Sequence, residues 1–141
     1  MIFQVRKNSP KAKIPAYALE GDAGLDLFSI EEKTIRFGEV VVVKTGIEIE
    51  LPTDTAGLIW DKGGLAAKNG IHTMGGVFDE NYRGEIGVTL TNLSRKPYKI
   101  GIGDKIAQLL IQKIEHPEVM IVEKLSESNR GKGRFGSTGK R

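Results

Sequence analysis

Short alternating apolar segments, separated by glycine and proline, run through this chain and limit what it can fold into. The segment Gly46-Ile47-Glu48-Ile49-Glu50-Leu51 alternates strictly, so its Ile and Leu side chains fall on one face. Residues 40–43 are four consecutive valines, a pattern typical of a buried strand. Glycine supplies 18 of the 141 residues, well above the usual level of about 7%. The pattern predicts many short strands joined by turns.

Roughly ten such segments are recognisable, the last at residues 119–122, and they predict an all-β fold. Residues 61–70 differ, because they begin as a glycine-rich turn and then favour a short helix ending at Asn69-Gly70. The pattern is that of a β-sandwich or a barrel, and the fold we predict is a jelly-roll-like, distorted β-barrel with one short helix. We place the barrel at residues 1–125 and a mobile C-terminal arm at residues 126–141, where Ser, Asn, Gly and Arg predominate.

Composition excludes several kinds of site and location. The chain has no cysteine, so thiolate nucleophiles, thiolate metal sites and disulfides are excluded. Its two histidines, His72 and His116, are far apart in sequence and form no evident ligand pair. No stretch approaches the roughly 20 apolar residues of a membrane span, and the N-terminus does not look like a signal peptide. We expect a cytoplasmic protein with no membrane partner.

The positive charge is concentrated at the C-terminal end. Residues 1–122 carry 15 Lys/Arg and 16 Asp/Glu, a net charge of −1. Residues 123–141 carry 6 Lys/Arg and 2 Asp/Glu, a net charge of +4. This distribution suggests that the tail meets phosphate, although basic tails are often only solvated ends.

Residues 74–84 are the most informative stretch of the chain. The pair Gly75-Gly76 allows close approach of backbone to a flat ligand, because no Cβ intervenes. Val77-Phe78 reads as a short strand with Asp79 at its end, and residues 85–90 read as the return strand of a hairpin. Such a hairpin can offer main-chain hydrogen bonds, one acid and one ring to a small planar molecule. The alternative is an ordinary hairpin with an Asp in its turn.

Three further groups of residues suggest sites. Lys62-Gly63-Gly64 places a cation and backbone N–H groups at a helix start, which is either an anion site or a solvated helix end. Gln108 interrupts an apolar strand, either as a ligand group or as a satisfied polar residue. Asp22 and Asp26 flank Gly24, where a metal contact competes with a commoner Asx turn.

The tail offers groups that suit phosphate. It alternates glycine with cations and then presents a Gly-Ser-Thr-Gly run whose N–H and hydroxyl groups can surround phosphate oxygens. Phe135 lies too late in the chain to join the core, so it is available to cover a flat group. Arginine- and glycine-rich tails with an aromatic residue also bind single-stranded nucleic acid, which is the alternative here.

Five segments, in order and spanning about residues 15–139, together resemble the five motifs of the homotrimeric deoxyuridine triphosphatases. They are Ala23-Gly24-Leu25-Asp26-Leu27, Lys62-Gly63-Gly64-Leu65-Ala66, Gly76-Val77-Phe78-Asp79-Glu80-Asn81-Tyr82-Arg83-Gly84, Gly103-Asp104-Lys105-Ile106-Ala107-Gln108-Leu109 and Arg130 to Gly139. The resemblance implies a homotrimer whose active sites are each built from three chains. It also implies hydrolysis of dUTP to dUMP and pyrophosphate, which limits uracil in DNA and supplies dUMP.

The resemblance further implies roles for individual residues. Asp79 matches the carboxylate that orients and deprotonates the water attacking the α-phosphorus, and Asp26 matches an acid that contacts the metal or its waters indirectly. Mg²⁺ is expected on the triphosphate, with no direct protein ligand. The residues expected to bind base and sugar are Gly76, Val77, Phe78, Tyr82 and Phe135, with Thr73 as a weaker candidate. The residues expected to bind phosphates are Lys62, Gly63, Gly64, Gln108, Arg130, Gly136, Ser137 and Thr138.

The chain departs from the family pattern at three positions. The second motif usually begins Arg-Ser, whereas this chain has Lys62-Gly63, which loses the two-pronged guanidinium and a hydroxyl. Arg134 occupies a position where glycine is usual. These changes bear on the rate and on the geometry of the tail more than on the type of reaction.

Two alternatives belong to other classes of protein. The first is a regulatory or binding protein that uses the same scaffold and a nucleotide-gated tail. The second is a relative of the dCTP deaminases, which are expected to have a longer chain and an acid beside the second motif. A nucleic-acid partner is not expected, because the glycine placement of the tail fits the fifth motif closely.

Overall fold

The computed structural model describes residues 1–134, which form ten strands and one helix. The strands are β1 (Gln4–Lys7), β2 (Leu25–Phe28), β3 (Lys33–Ile35), β4 (Val40–Glu50), β5 (Thr55–Trp60), β6 (Ile71–Thr73), β7 (Val77–Phe78), β8 (Glu85–Asn92), β9 (Tyr98–Ile100) and β10 (Lys105–Lys113), and the helix is α1 (Gly63–Asn69). The predicted all-β class with one short helix is confirmed. The proposed division at residue 125 stays a prediction.

Two four-stranded antiparallel sheets enclose one hydrophobic core. The first sheet has the order β1-β4-β8-β6, the second has the order β2-β10-β5-β7, and β3 pairs with β9 alone. In β8 every second side chain points inward, so Ile86, Val88 and Leu90 are fully buried. In β4 the predicted alternation is confirmed, because Ile47 and Ile49 are buried between more exposed glutamates. Side chains of both sheets belong to the same buried cluster.

Helix α1 connects the two sheets. It ends where the sequence predicts, at Gly70, which adopts the left-handed conformation (φ 65°) and donates its N–H to the carbonyl of Ala66. Within residues 1–134 no helix has both the length and the apolar character needed to cross a membrane.

The pairing predicted for the central hairpin is wrong, although its strands lie where expected. Strand β7 pairs with β5 in the second sheet, whereas β8 pairs with β4 and β6 in the first. The reason is local: Gly75 and Gly76 both have positive φ, 68° and 99°, and they turn the chain from one sheet to the other. Residues 74–84 therefore form a crossing between sheets rather than one narrow ribbon.

The strand predicted at residues 119–122 is absent from the described chain. These four apolar residues are exposed, and Ile121 retains 97% of its accessible surface. A strand needs a partner for its backbone N–H and C=O groups. No strand within residues 1–134 lies beside this segment, so the apolar pattern alone does not produce one.

We predict different costs for alanine at the two central glycines. A Cβ at Gly76 would lie 2.8 Å from the Cβ of Ile59 and 3.2 Å from its carbonyl oxygen, and the backbone would be strained as well. Gly76→Ala should therefore lower the free energy of unfolding by about 2–4 kcal/mol. At Gly75 a Cβ meets nothing within 4 Å, so Gly75→Ala should cost only about 1 kcal/mol for its backbone conformation. Urea unfolding of both variants measures the difference; equal losses would contradict the close approach at Ile59.

Candidate active site

Lys62 and Gln108, predicted to bind phosphate, lie with Asp26, predicted to contact the metal or its waters indirectly, at one end of the second sheet. Strand β10 runs between β2 and β5, so that Gln108 lies opposite Asp26 on one side and opposite Trp60 on the other. Lys62 follows two residues after Trp60, at the start of α1. Antiparallel pairing thus brings together parts of the first, second and fourth motifs.

Asp26 is almost completely buried, with 1% of its surface exposed, and it is held by two lysines. Lys62 Nζ donates a hydrogen bond of 2.6 Å to Oδ1. Lys105 Nζ forms an ion pair with Oδ2 at 2.7 Å, off the preferred hydrogen-bond angle. Burial raises the pKa of Asp26, but the two ammonium groups outweigh it and hold the pKa below its ordinary value near 3.8. Asp26 is therefore a carboxylate at neutral pH.

The turn before α1 leaves backbone donors open. The N–H groups of Leu65 and Ala66 both donate to the carbonyl of Lys62. The N–H groups of Gly63 and Gly64 are the first of the helix, and such groups have no partner within it. Gly63 and Gly64 are exposed, and a Cβ on either would meet no atom within 4 Å. Lys62 makes no side-chain cap, because its ammonium turns to Asp26. This turn can accept an anion from solvent.

The residues predicted to bind the nucleoside form a second group. The N–H of Ile59 donates to the carbonyl of Gly76 at 2.7 Å, which fixes the start of β7 against β5. The rings of Phe78 and Tyr82 pack with centroids 5.3 Å apart, and the Tyr82 hydroxyl donates to the carbonyl of Glu85. Tyr82 lies across Gly84, where a Cβ would overlap its hydroxyl. The glycine of this motif is thus required by the ring.

Asp79 comes directly after β7 and is exposed. Its carbonyl accepts the N–H of Tyr82 at 3.0 Å, which closes a tight turn. Its carboxylate makes no hydrogen bond or ion pair with any other group in residues 1–134, so it is free to bind water. The next residue, Glu80, accepts the N–H of Asp54 at 2.6 Å, and this contact places Asp79 near the start of β5.

Within one chain the two groups lie apart along β5. Phe78 lies opposite Gly57 and Gln108 lies opposite Trp60, so they are offset by three residues of β5, or about 10 Å at 3.3 Å per residue. Beyond Phe78 the chain continues away from Gln108 toward Asp79. The structure brings Asp26, Lys62 and Gln108 together, and separately brings the nucleoside-binding residues to Asp79.

A contact that the sequence did not predict ties the phosphate turn to β6. Asp61 Oδ1 accepts hydrogen bonds from the N–H and the hydroxyl of Thr73, at 2.6 and 2.8 Å, and Oδ2 lies 2.8 Å from Nδ1 of His72. Burial raises the pKa of Asp61, but these partners outweigh it and lower the pKa below its ordinary value. Asp61 and Thr73 are separated by the whole of α1, so no local signal marks the pair.

The second half of the fifth motif, residues 135–139, lies beyond the described residues. Arg130 is exposed, and its Nε donates to the carbonyl of Gly133 at 3.1 Å. The predicted binding residues Phe135, Gly136, Ser137 and Thr138 lie outside the described range.

We predict that Asp26→Asn destabilises the protein at neutral pH. The loss of a buried, paired carboxylate should lower the free energy of unfolding by about 1–3 kcal/mol. Because the folded-state pKa is lowered, the contribution of Asp26 is complete above pH 3.8 and disappears as the pH falls further toward the folded-state value. Chemical unfolding across a pH series measures it, with the exposed Asp22→Asn as the control. A difference between Asp26→Asn and the parent that persists unchanged at the lowest pH would contradict this account.

Known proteins resemble the chain along nearly its whole length. The dUTPase family model matches residues 10–139. A deoxyuridine 5'-triphosphate nucleotidohydrolase of Alkaliphilus metalliredigens is 45% identical over 139 residues, which cover 97% of this chain and 96% of the relative. The enzyme of the same name from Clostridium tetani is 49% identical over 131 residues, covering 92% and 90% of the two chains.

Solved structures agree with the sequence match. A variant of the Staphylococcus bacteriophage 80alpha dUTPase with dUpNHpp has a TM-score of 0.90 at 30% identity, covering 98% of each chain. A variant dUTPase from phage phi11 of S. aureus has a TM-score of 0.84 at 27% identity, covering 90% of this chain and 100% of its own. These neighbours confirm the jelly-roll-like β fold. The resemblance carried by the five motifs is confirmed, and the chain belongs to the dUTPase family.

Proposed function

We propose that this protein hydrolyses dUTP to dUMP and pyrophosphate. The observation that carries the proposal is the family match over residues 10–139, within which every predicted site residue falls. The phage 80alpha protein was solved with dUpNHpp, an analogue of dUTP with an imido bridge. The described geometry suits such a molecule, since it offers a cationic turn with open N–H groups and, elsewhere, a glycine-led backbone segment followed by the exposed carboxylate of Asp79.

In the proposed reaction Asp79 is the general base. Its exposed carboxylate has no partner among residues 1–134 and can accept a proton from water. The water oxygen forms a bond to the α-phosphorus as the bond from that phosphorus to the α,β-bridging oxygen breaks. The electron pair leaves with pyrophosphate and the proton passes to Asp79. Positioning and charge neutralisation supply most of the catalysis in such transfers.

Selectivity for deoxyuridine is proposed to reside in the second group of residues. Main-chain groups of Gly76, Val77 and Phe78 read the uracil edge, because the positive-φ glycine lets backbone approach the base. Tyr82 lies beneath the deoxyribose and leaves no room for a 2′-hydroxyl. Its ring is held in place for this role, since its hydroxyl donates to the carbonyl of Glu85 and the ring packs at a tilt of 57° against Phe78. Phe135 covers the base from the tail.

The phosphates are proposed to bind at the other end of β5. Gln108 contacts the α-phosphate, and Lys62 with the N–H groups of Gly63 and Gly64 neutralises the chain of phosphates. Arg130 and the tail residues Gly136, Ser137 and Thr138 close over the β- and γ-phosphates. Lid closure of this kind excludes bulk water.

We propose that the substrate is the magnesium complex of dUTP. The phi11 structure is described as revealing the coordination of a structural Mg(II) ion, which supports a role for this metal in the family. In residues 1–134 no three or more His, Cys, Asp or Glu side chains cluster in a way that could hold a metal ion. Both oxygens of Asp26 face lysines, so contact with a metal-bound water requires one lysine to move. The triphosphate oxygens remain the proposed ligands.

We propose that three copies of the chain share each active site. Two observations support this. Within one chain the phosphate-binding and nucleoside-binding groups are offset by three residues along β5. In addition, residues 119–122 present apolar side chains that are 50% to 97% exposed within residues 1–134, which is typical of a protein interface. In a symmetric trimer, one repeated set of contacts can bring the two groups together and also cover the apolar segment. A cytoplasmic location stays an expectation.

A regulatory role is a second candidate. Structures of the phage 80alpha dUTPase are described as showing control of virulence gene transfer by a G protein-like mechanism. This chain has the same fold at 30% identity to one of them. The catalytic and regulatory roles are compatible. A variant that loses catalysis but still binds the nucleotide separates them.

We predict that Asp79→Asn abolishes turnover while binding survives. The parent should release pyrophosphate from Mg–dUTP but not from dTTP, UTP or dCTP, and deamination of dCTP should be absent. Asp79→Asn should lower kcat by about 10²–10⁴-fold, because the general base is lost, with the Kd for dUpNHpp little changed. Glu80→Gln is the matched control, since it removes the neighbouring charge and keeps an acceptor for Asp54. Equal activity of Asp79→Asn and the control would contradict the role of Asp79 as general base.

We also predict that two inactive variants restore each other. Asp79→Asn lacks the base, and Lys62→Met/Gln108→Ala lacks the phosphate contacts. If each site takes these groups from different chains, a refolded equal mixture should recover activity at about one quarter of its sites, the statistical fraction for random trimers. Each variant refolded alone is the control. A mixture no more active than its components would show that both groups act within one chain.

A further inference from the structure

Lys105 lies on the same face of the second sheet as the predicted phosphate residue Gln108. Residues three apart in a regular strand point to opposite faces. In β10 the register with β2 shifts, so that Lys105 lies opposite Phe28 and Gln108 lies opposite Asp26. Because Phe28 and Asp26 are two residues apart on β2, they share a face, and so do their partners. A β-bulge near Ile106 thus turns Lys105 toward Gln108, a device common beside active sites.

The two lysines at this face share a single anion. Lys62 Nζ lies 2.6 Å from one oxygen of Asp26, and Lys105 Nζ lies 2.7 Å from the other. The neighbouring acids are engaged elsewhere: Asp61 with His72 and Thr73, and Asp104 with the N–H of Gly101. Asp26, Lys62 and Lys105 by themselves sum to a net charge of +1, and the carboxylates of Asp61 and Asp104 are hydrogen-bonded to other groups.

The surplus charge faces solvent rather than the core. Asp26 is sealed, whereas the side chains of Lys62 and Lys105 are 27% and 44% exposed. Each ammonium has three N–H donors, and the shared carboxylate cannot accept all six. Donors thus remain on the open side of the cluster, beside Gln108, where a phosphate can reach them.

We propose that Lys105 binds the triphosphate directly, as the second member of a lysine pair anchored on Asp26. The proposal rests on the proposed function and extends its phosphate site by one residue. A guanidinium grips phosphate with two parallel donors, whereas a single lysine acts as a point charge. Two ammonium groups on opposite oxygens of one buried carboxylate also supply two donors. In this chain the second motif begins with Lys62 instead of the usual arginine, and the pair replaces the two donors of that guanidinium.

The test compares Lys105→Met with Lys113→Met, which removes the same charge from the far end of the same strand. For dUpNHpp measured by calorimetry in EDTA, Lys105→Met should weaken Kd by about tenfold or more, the loss of one charge-assisted contact. Lys113→Met should stay within about twofold, a negligible free-energy change. The Ki of deoxyuridine, which has no phosphate, should be unchanged, and Lys105→Arg should recover most of the affinity.

A second background separates direct binding from an effect through Lys62. In Lys62→Met, the further change Lys105→Met should again weaken dUpNHpp binding; no further loss would show that Lys105 only positions Lys62 and would overturn the proposal. If the parent hydrolyses dUTP but Lys105→Met binds like Lys113→Met, the inference also fails while the proposed function stands. A parent that neither binds dUpNHpp nor hydrolyses dUTP would instead overturn the proposed function. Should Lys105→Met lower the melting temperature, Lys105→Gln provides the same comparison with a donor retained toward Asp26.

Discussion

The central position of β10 in the second sheet is the constraint on which the phosphate-binding arrangement depends. Hydrogen bonding to β2 on one side and β5 on the other places Asp26, Gln108 and Trp60 in one row across three strands. This row joins parts of the first and fourth motifs, which are distant along the chain, and Trp60 leads into the second motif at Lys62. A buried carboxylate is costly unless it is paired, so Asp26 draws Lys62 and Lys105 to the same point. The cationic character of the site therefore follows from burying one acid.

The glycines of the third motif impose a second constraint. Gly75 and Gly76 turn the chain out of the first sheet, and β7 then pairs with β5 along its outer edge. This crossing sends Asp79 toward the start of β5, away from Lys62. A single small domain thus carries both parts of the chemistry but separates them. We propose that an assembly of several copies joins them without requiring a larger chain.

Sequence patterns predicted the elements of this fold better than their partners. Period-two alternation located the second half of β4, short apolar runs located β7 and β8, and Gly70 marked the end of α1, because these signals are local. The pairing of β7 with β5 and the ion pair of Lys105 with Asp26 depend on positive-φ turns and a bulge, which leave no distinct period in the sequence. Residues 119–122 have the pattern of a strand, but a strand also requires a partner, which a single chain's sequence does not specify.

The central claim is that the phosphate-binding and nucleoside-binding groups of one active site come from different copies of the chain. The most direct measurement is a crystal structure of the protein with dUpNHpp and Mg²⁺. We expect the α-phosphate to lie against Lys62 and Gln108 of one protomer, while the uracil lies against Gly76 to Phe78 of a neighbouring protomer with Asp79 at the α-phosphorus. A nucleotide bound to both groups of the same chain would contradict the claim.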